Sequence, residues 1–265
     1  MEIIIHQTPE AAAERSARIV SDLIRNKNDV VLGLATGSTP LAFYRKLIEL
    51  HKKEKLSFKR VRTFNLDEYV GIPATHPQSF RYYMEENLFK HIDIVPENTH
   101  VPDGMMENPM LSGPAYEMLI NEAGGIDLQI LGIGANGHIG FNEPTSSLSS
   151  STRVKTLTKK TLSENKRFFK PDEFQPFLAI TMGIATIMES RRILLLATGE
   201  KKAEAVAATI EGPISSMCPA SVLQWHPKVS LILDSQASSL LKHTEYYKFV
   251  LSLQDGLTEK FGDPR

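Results

Sequence analysis

The chain alternates between two patterns. Short β-branched or apolar runs bounded by turn residues take turns with longer stretches whose apolar positions recur every three to four residues. Glu2–Ile5, Val30–Leu34, Val61–Leu66, Ile126–Ile133, Arg153–Leu157, Leu178–Thr181, Arg192–Ala197 and Val229–Leu233 read as strands. Thr8-Pro9-Glu10 opens a first helix with a capping hydroxyl, a proline at the first helical position and an acid in the first turn. Ala13, Ala17, Val20, Leu23 and Ile24 form its apolar stripe, and Glu14 and Arg18 stand one turn apart. Helices are predicted over Pro40–Lys53, Pro77–Phe89 and Ala115–Ala123, and near 158–168, 183–190, 200–210 and 235–242. Residues 102–114, rich in Pro, Gly, Met and Asn, read as a loop. Strands that are apolar throughout, instead of every second residue, imply burial on both faces. The pattern predicts an α/β fold, a mostly parallel sheet between helix layers with right-handed crossovers. No linker composition interrupts it, so 1–265 is expected to be one domain.

Composition narrows the function classes. At 265 residues and 42% hydrophobic the chain can bury a full core. Thirty basic side chains against 31 acidic ones leave a net charge of -1, which gives no field to gather nucleic acid or an anionic membrane. Cys218 is the only cysteine, so no internal disulfide forms, in keeping with a reducing compartment. The N-terminus lacks the charged and apolar regions of a signal peptide, and no apolar run nears the ~20 residues that cross a bilayer. A cytoplasmic protein is expected.

In open α/β sheets ligands bind beyond the carboxyl ends of strands, and that rule selects three loops. Ala35-Thr36-Gly37-Ser38-Thr39-Pro40 offers a close-approach glycine, two hydroxyls and a helix N-terminus, which suits a phosphate; an ordinary turn capped by Thr39 has the same pattern. It is neither a Walker loop nor G-x-G-x-x-G. Asp67-Glu68 after strand 61–66 supplies either a general base or a solvated turn. Gly132 to Pro144 carries His138 and, five residues on, Glu143, in a segment too glycine-rich for a helix. A carboxylate beside a histidine sets its tautomer and raises its basicity, although a structural histidine fits the spacing too. None of the eight histidines has metal-ligand spacing, and no metal is expected. Arg167 and Lys202 are cations that could meet an anionic ligand or lie on the surface.

The runs GLATGSTP (33–40), TFNLDEYVGI (63–72), LGIGANGHIGFNEP (131–144), KRFF (166–169) and GEKKAEAV (199–206) resemble the glucosamine-6-phosphate deaminase family over nearly the whole chain. The resemblance implies a Rossmann-like three-layer αβα sandwich. It implies conversion of D-glucosamine 6-phosphate and water to D-fructose 6-phosphate and ammonia, without metal or organic cofactor. It makes Asp67 the base that moves a proton between C2 and C1, His138 the ring-opening group and Glu143 its orienting carboxylate. Gly37, Ser38, Thr39, Arg167 and Lys202 match the phosphate site. Asn136 stands where some members have Asp; it can hold a hydrogen bond but cannot act as acid or base. In one branch N-acetylglucosamine 6-phosphate activates a hexamer at subunit contacts, and the matching residues are Met1, Ser146, Ser147, Arg153, Lys155 and Tyr246. Two rival readings are a 6-phosphogluconolactonase-like hydrolase on the same fold and a non-catalytic sugar-phosphate sensor. The LDEY and FNEP runs favour the deaminase, and no DNA-binding extension precedes Glu2.

Overall fold

The computed structural model describes residues 1–158, 162–163, 169 and 173–261, the last eight as backbone alone. Seven strands form one sheet in the order β1 (Glu2–His6), β10 (Val229–Asp234), β9 (Ile193–Ala197), β6 (Leu128–Leu131), β2 (Val31–Leu34), β3 (Arg62–Asn65) and β5 (Thr99–His100). Every pairing in it is parallel. Successive residues of each strand feed opposite faces. Ile3, Val31, Leu195 and Leu231 enter one apolar cluster, and Ile4, Leu32, Leu196 and Ile232 the other. Helices α1 (Pro9–Asn26), α2 (Pro40–Glu54) and α3 (Phe80–Asn87) cover the second face. Helices α4 (Ser112–Glu122), α5 (Ile184–Met188) and α6 (Ala203–Ile210) cover the first. Two-sided burial is why these strands read as unbroken apolar runs.

The strand order has a functional consequence. From β2 the chain steps outward through β3 to β5, then returns to the other side of β2 and steps through β6, β9 and β10. The connections after β2 and β6 therefore leave the sheet edge in opposite directions, and the crevice between them is where open sheets bind ligands.

Local rules account for the helix starts. The Thr8 hydroxyl accepts from the Ala11 amide at 3.2 Å, and Ser79 does the same for Tyr82 at the start of α3, displacing that start from the expected Pro77. Three further expectations are corrected. Strands β7 (Arg153–Thr156) and β8 (Leu178–Thr181) do not join the parallel sheet; with β4 (Asp67–Tyr69) they form a separate antiparallel sheet in the order β4-β8-β7. Residues 235–242 are turns, because serines there compete for the backbone: Ser235 donates to the Gln7 carbonyl and Ser238 to that of Ser235. The helix comes later, as α7 (Thr244–Phe261), begun by Glu211 accepting from the Lys242 and His243 amides. The two-residue β5 and the start of α4 at Ser112 lie in or beside the stretch read as loop. The helix expected over 158–168 falls almost wholly outside the described residues. Within the described residues no helix is long and apolar enough to cross a membrane.

Candidate active site

Four adjacent strands, β9, β6, β2 and β3, end on the same edge, and their following loops carry Lys202, His138, Ser38 and Asp67. Neighbouring strands thus gather residues that are up to 164 positions apart in sequence, the span from Ser38 to Lys202.

After β2 the loop exposes Gly37 and Ser38, with Gly37 at φ +104° and open space where a Cβ would sit. Thr39 is already helical and makes no side-chain cap, so the ordinary capped turn is not what forms here. The loop carbonyls are taken from behind. The Tyr44 hydroxyl donates to Ala35 O at 2.5 Å and the Tyr83 hydroxyl to Gly37 O at 2.6 Å. Both tyrosines sit on helices, α2 and α3, whose apolar spacing carries their rings inward, and nothing in such spacing marks a hydroxyl. The free amides at the start of α2 and the hydroxyls of Ser38 and Thr39 remain for an anion.

After β3, Asp67 and Glu68 are both buried, and burial pushes both carboxyls up, but their partners differ. Glu68 accepts from the Ser79 hydroxyl and from the amides of Tyr69, Phe80 and Arg81, at 2.8 to 3.0 Å. It anchors the first turn of α3. Asp67 accepts no hydrogen bond from any described residue. Burial, and secondarily the charge of Glu68, push its pKa from 3.8 up to about 8. A group so placed titrates in the range where general bases work best.

The loop after β6 closes over Asp67. His138 packs on Gly134, where a Cβ would fall about 2.2 Å from the ring. Its Nδ1 lies 3.3 Å from Glu143 Oε1, an ion-pair distance with an angle short of a hydrogen bond. Asn136 Nδ2 donates to Glu143 Oε2 at 2.7 Å, and Asn136 Oδ1 accepts from the His138 amide at 3.3 Å. Asn136 therefore acts as a brace between the histidine and its carboxylate. Gly140 comes closest to the base: a Cβ there would stand 3.4 Å from Asp67 Oδ2 and 2.9 Å from Thr181 Oγ1. Only glycine lets this loop lie down on the strand.

Lys202 ends the short turn after β9, which is held by Asp234 accepting from the Gly199 amide at 3.0 Å. Arg167 lies outside the described residues. The six residues matched to an activator site form two groups within one chain. Ser146, Ser147, Arg153 and Lys155 follow Glu143 into the small sheet, and the Ser146 amide donates to Glu143 O at 3.0 Å. Met1 and Tyr246 line a cavity of about 310 Å³ beside β1, with Gln224, Tyr247 and Leu251. Among the described residues no three His, Cys, Asp or Glu side chains converge as a metal site would.

Comparison with known proteins gives this geometry a chemistry. Residues 6–231 match the family described as glucosamine-6-phosphate isomerases/6-phosphogluconolactonase. The chain is 57% identical to the glucosamine-6-phosphate deaminase of Hahella chejuensis, covering 95% of this chain and 96% of that one. It is 52% identical to that of Cellvibrio japonicus over 99% and 100%. Among solved structures, a monomeric glucosamine-6-phosphate deaminase superposes with a TM-score of 0.87 at 46% identity, covering 91% of this chain and all of that one. The 6-phosphogluconolactonase of Trypanosoma brucei, at 22% identity and a TM-score of 0.70 over 90% of this chain and 97% of its own, shares the fold. A buried strand-end carboxyl under a histidine loop, beside an open glycine turn, thus sits in a chain that belongs to the glucosamine-6-phosphate isomerase/6-phosphogluconolactonase family, on its glucosamine-6-phosphate deaminase branch.

Proposed function

We propose that Asp67, His138 and Glu143 divide the deamination of D-glucosamine 6-phosphate into ring opening and proton transfer. The phosphate sits on the Gly37–Thr39 amides and hydroxyls, with Lys202 and Arg167 as its cations. His138, oriented by Glu143 and Asn136, moves the proton from the anomeric hydroxyl to the ring oxygen and frees the C1 aldehyde. Asp67 then takes the C2 proton; the C2–H pair forms a C1–C2 double bond, the carbonyl pair goes to the C1 oxygen, and that oxygen takes the proton the C2 ammonium gives up, leaving an enolamine. Asp67 returns its proton to C1 as the nitrogen lone pair forms a C2 iminium, which water hydrolyses to the ketone with loss of ammonia. The observation that carries this reading is the Asp67 carboxyl, buried beneath Gly140 and given no hydrogen-bond donor by the described residues. A substrate ammonium on C2 lies beside the base and favours its ionised form. The test is coupled assay of fructose 6-phosphate and ammonia. His138→Gln is expected to slow the cyclic sugar far more than an open-chain analogue; equal losses would assign His138 to the proton shuttle or to loop structure.

The same reading extends to regulation. N-acetylglucosamine 6-phosphate activates a cytoplasmic homo-oligomer, a hexamer, by binding Ser146, Ser147, Arg153 and Lys155 of one chain and the Met1 amine and Tyr246 of another. Its support is the separation of the two groups within one chain and the turn from Glu143 directly into Ser146. A monomer, like the solved relative at 46% identity, would leave the two groups apart. Light scattering and saturation curves with and without the activator decide it. Coupling of about 1–3 kcal/mol would lower half-saturation about 5–150-fold, and Lys155→Ala would abolish the response. A monomer with hyperbolic, activator-indifferent kinetics overturns this part alone.

A further inference from the structure

Asn142 lies in the loop that carries His138, one residue before Glu143, and is wholly buried. Its amide is fully engaged. Nδ2 donates to Ile139 O at 2.9 Å within the same loop and to Met182 O at 2.8 Å, just beyond β8. Oδ1 accepts from Arg153 Nη1 at 2.9 Å. Met182 in turn donates its amide to Leu66 O at 2.6 Å, next to Asp67, and Thr181, opposite Asp67 in the small sheet, accepts from the Phe141 amide at 3.0 Å. Three bonds thus tie the histidine loop to the small sheet, from Asn142 to Met182, from Arg153 to Asn142 and from Phe141 to Thr181, and two of them use the Asn142 amide.

An amide can be turned end for end at little steric cost, and only its partners decide its sense. Reversed, Asn142 would set its oxygen against two carbonyl oxygens and its NH2 against a guanidinium. A buried polar group left facing a like partner loses its hydrogen bond and keeps its desolvation cost. Arg153 supplies the one contact that is specific for the oxygen, so it fixes the sense of the other two.

We infer that Asn142, with its amide oriented by Arg153, is the positioning residue that sets the His138–Glu143 loop against Asp67, so that ring opening and proton transfer act on one sugar. This rests on the roles proposed for Asp67 and His138. It also gives Arg153 a task in the unactivated enzyme, separate from any anion it binds.

The test is steady-state kinetics of the full chain without N-acetylglucosamine 6-phosphate, alongside thermal unfolding and the affinity for fructose 6-phosphate. Asn142→Ala and Asn142→Asp both remove the paired donors; the second keeps an acceptor for Arg153 and so guards against simple loss of the ion contact. A loop displaced by about 1 Å costs on the order of 10²-fold, so both variants should lower kcat about that much. KM and fructose 6-phosphate affinity should stay within about threefold, since the phosphate turn is untouched. Arg153→Ala should also lower kcat at saturating substrate, Arg153→Lys should recover most of the loss, and Asn142→Ala with Arg153→Ala should be no slower than Asn142→Ala alone. The inference is overturned if kcat per folded molecule survives Asn142→Ala, if the loss appears in KM, or if the two losses multiply. Asp67→Asn run beside them separates the layers: an active Asp67→Asn refutes the site itself, whereas a dead Asp67→Asn with an active Asn142→Ala refutes only the positioning.

Discussion

Two buried aspartates stand at opposite edges of the molecule's main sheet. Asp127, at the amino end of β6, is 4% exposed; Asp67, beyond the carboxyl end of β3, is 6% exposed. Asp127 accepts from the Val31 amide at 2.8 Å, from Arg191 at 2.7 Å and from Lys27, and these donors pull its pKa below 3.8 against the opposing effect of burial. Asp67 accepts from no such donor among the described residues, and burial lifts it to about 8. Similar exposure with opposite pKa shifts separates a carboxylate whose donors outweigh burial from one that burial governs; Glu68, with four donors but deeper in the protein than Asp127, is still pushed up, so depth and partners both count. The split follows the architecture. Amino ends of parallel strands are stitched shut, while carboxyl ends open onto loops.

The sharpest attack on this contrast is Asp67→Asn. Loss of a positioned base should lower kcat by about 10²–10⁴-fold while sugar-phosphate affinity changes only a few-fold. Retention of a tenth of kcat would remove Asp67 from the chemistry. At the other edge, Asp127→Asn should leave kcat per folded molecule intact and lower stability by about 1–3 kcal/mol in denaturant unfolding, since charged hydrogen bonds of about that strength are lost. An inactive but fully stable Asp127→Asn would erase the distinction.

The pH dependence of stability should carry opposite signs at the two sites. Asp67 binds its proton more tightly folded than unfolded, so its contribution falls as pH rises from about 4 to about 8, and stays lost above that. Asp127 binds its proton less tightly folded, so its contribution is present above about 4 and disappears as pH falls below it. Unfolding midpoints of Asp67→Asn should therefore decline less between pH 5 and 8 than those of the wild type. The same titration should appear in kcat/KM as a rise toward about pH 8, with the kcat limb displaced to lower pH by the substrate ammonium. A kcat/KM flat from pH 6 to 9 would mean that Asp67 does not titrate there. The smallest effect is expected of Lys27→Met. Lys27 is 42% exposed, and half-solvated ion pairs contribute about 0–1 kcal/mol; a loss above that range would make Lys27 as structural as Asp127.

Much of this was legible in the chain. Six of the seven strands of the main sheet follow from unbroken apolar runs, whereas the two-residue β5 left no such run; the loops after β2, β3 and β6 follow from the ends of those strands. What was hidden is instructive. Asp67 and Glu68 are adjacent acids, and nothing in sequence says that one will be consumed by the first turn of α3 while its neighbour is left bare. The small antiparallel sheet was hidden because Leu178–Thr181 is as apolar as a central strand and β4 is only three residues long. The bond between Asn142 and Arg153 joins residues 11 apart whose meeting depends on that sheet. Residues 235–242 misled because their apolar spacing suits a helix, whereas the serine hydroxyls and the Asp234 carboxylate claim the amides and carbonyls a helix needs.

The pairing of β1 with β10 bears on how the protein is made. Glu2 is bonded to Ser230, a partner 228 residues downstream. On a ribosome adding about 5–20 residues per second, the first strand emerges and then waits roughly 10–45 seconds for the last. Until β10 appears, β9 presents an unpaired apolar edge, and α1 lacks part of the floor it packs against. Strand β1 therefore stays without its partner through the making of every other strand, and the main sheet closes in one late step when β10 enters between β1 and β9.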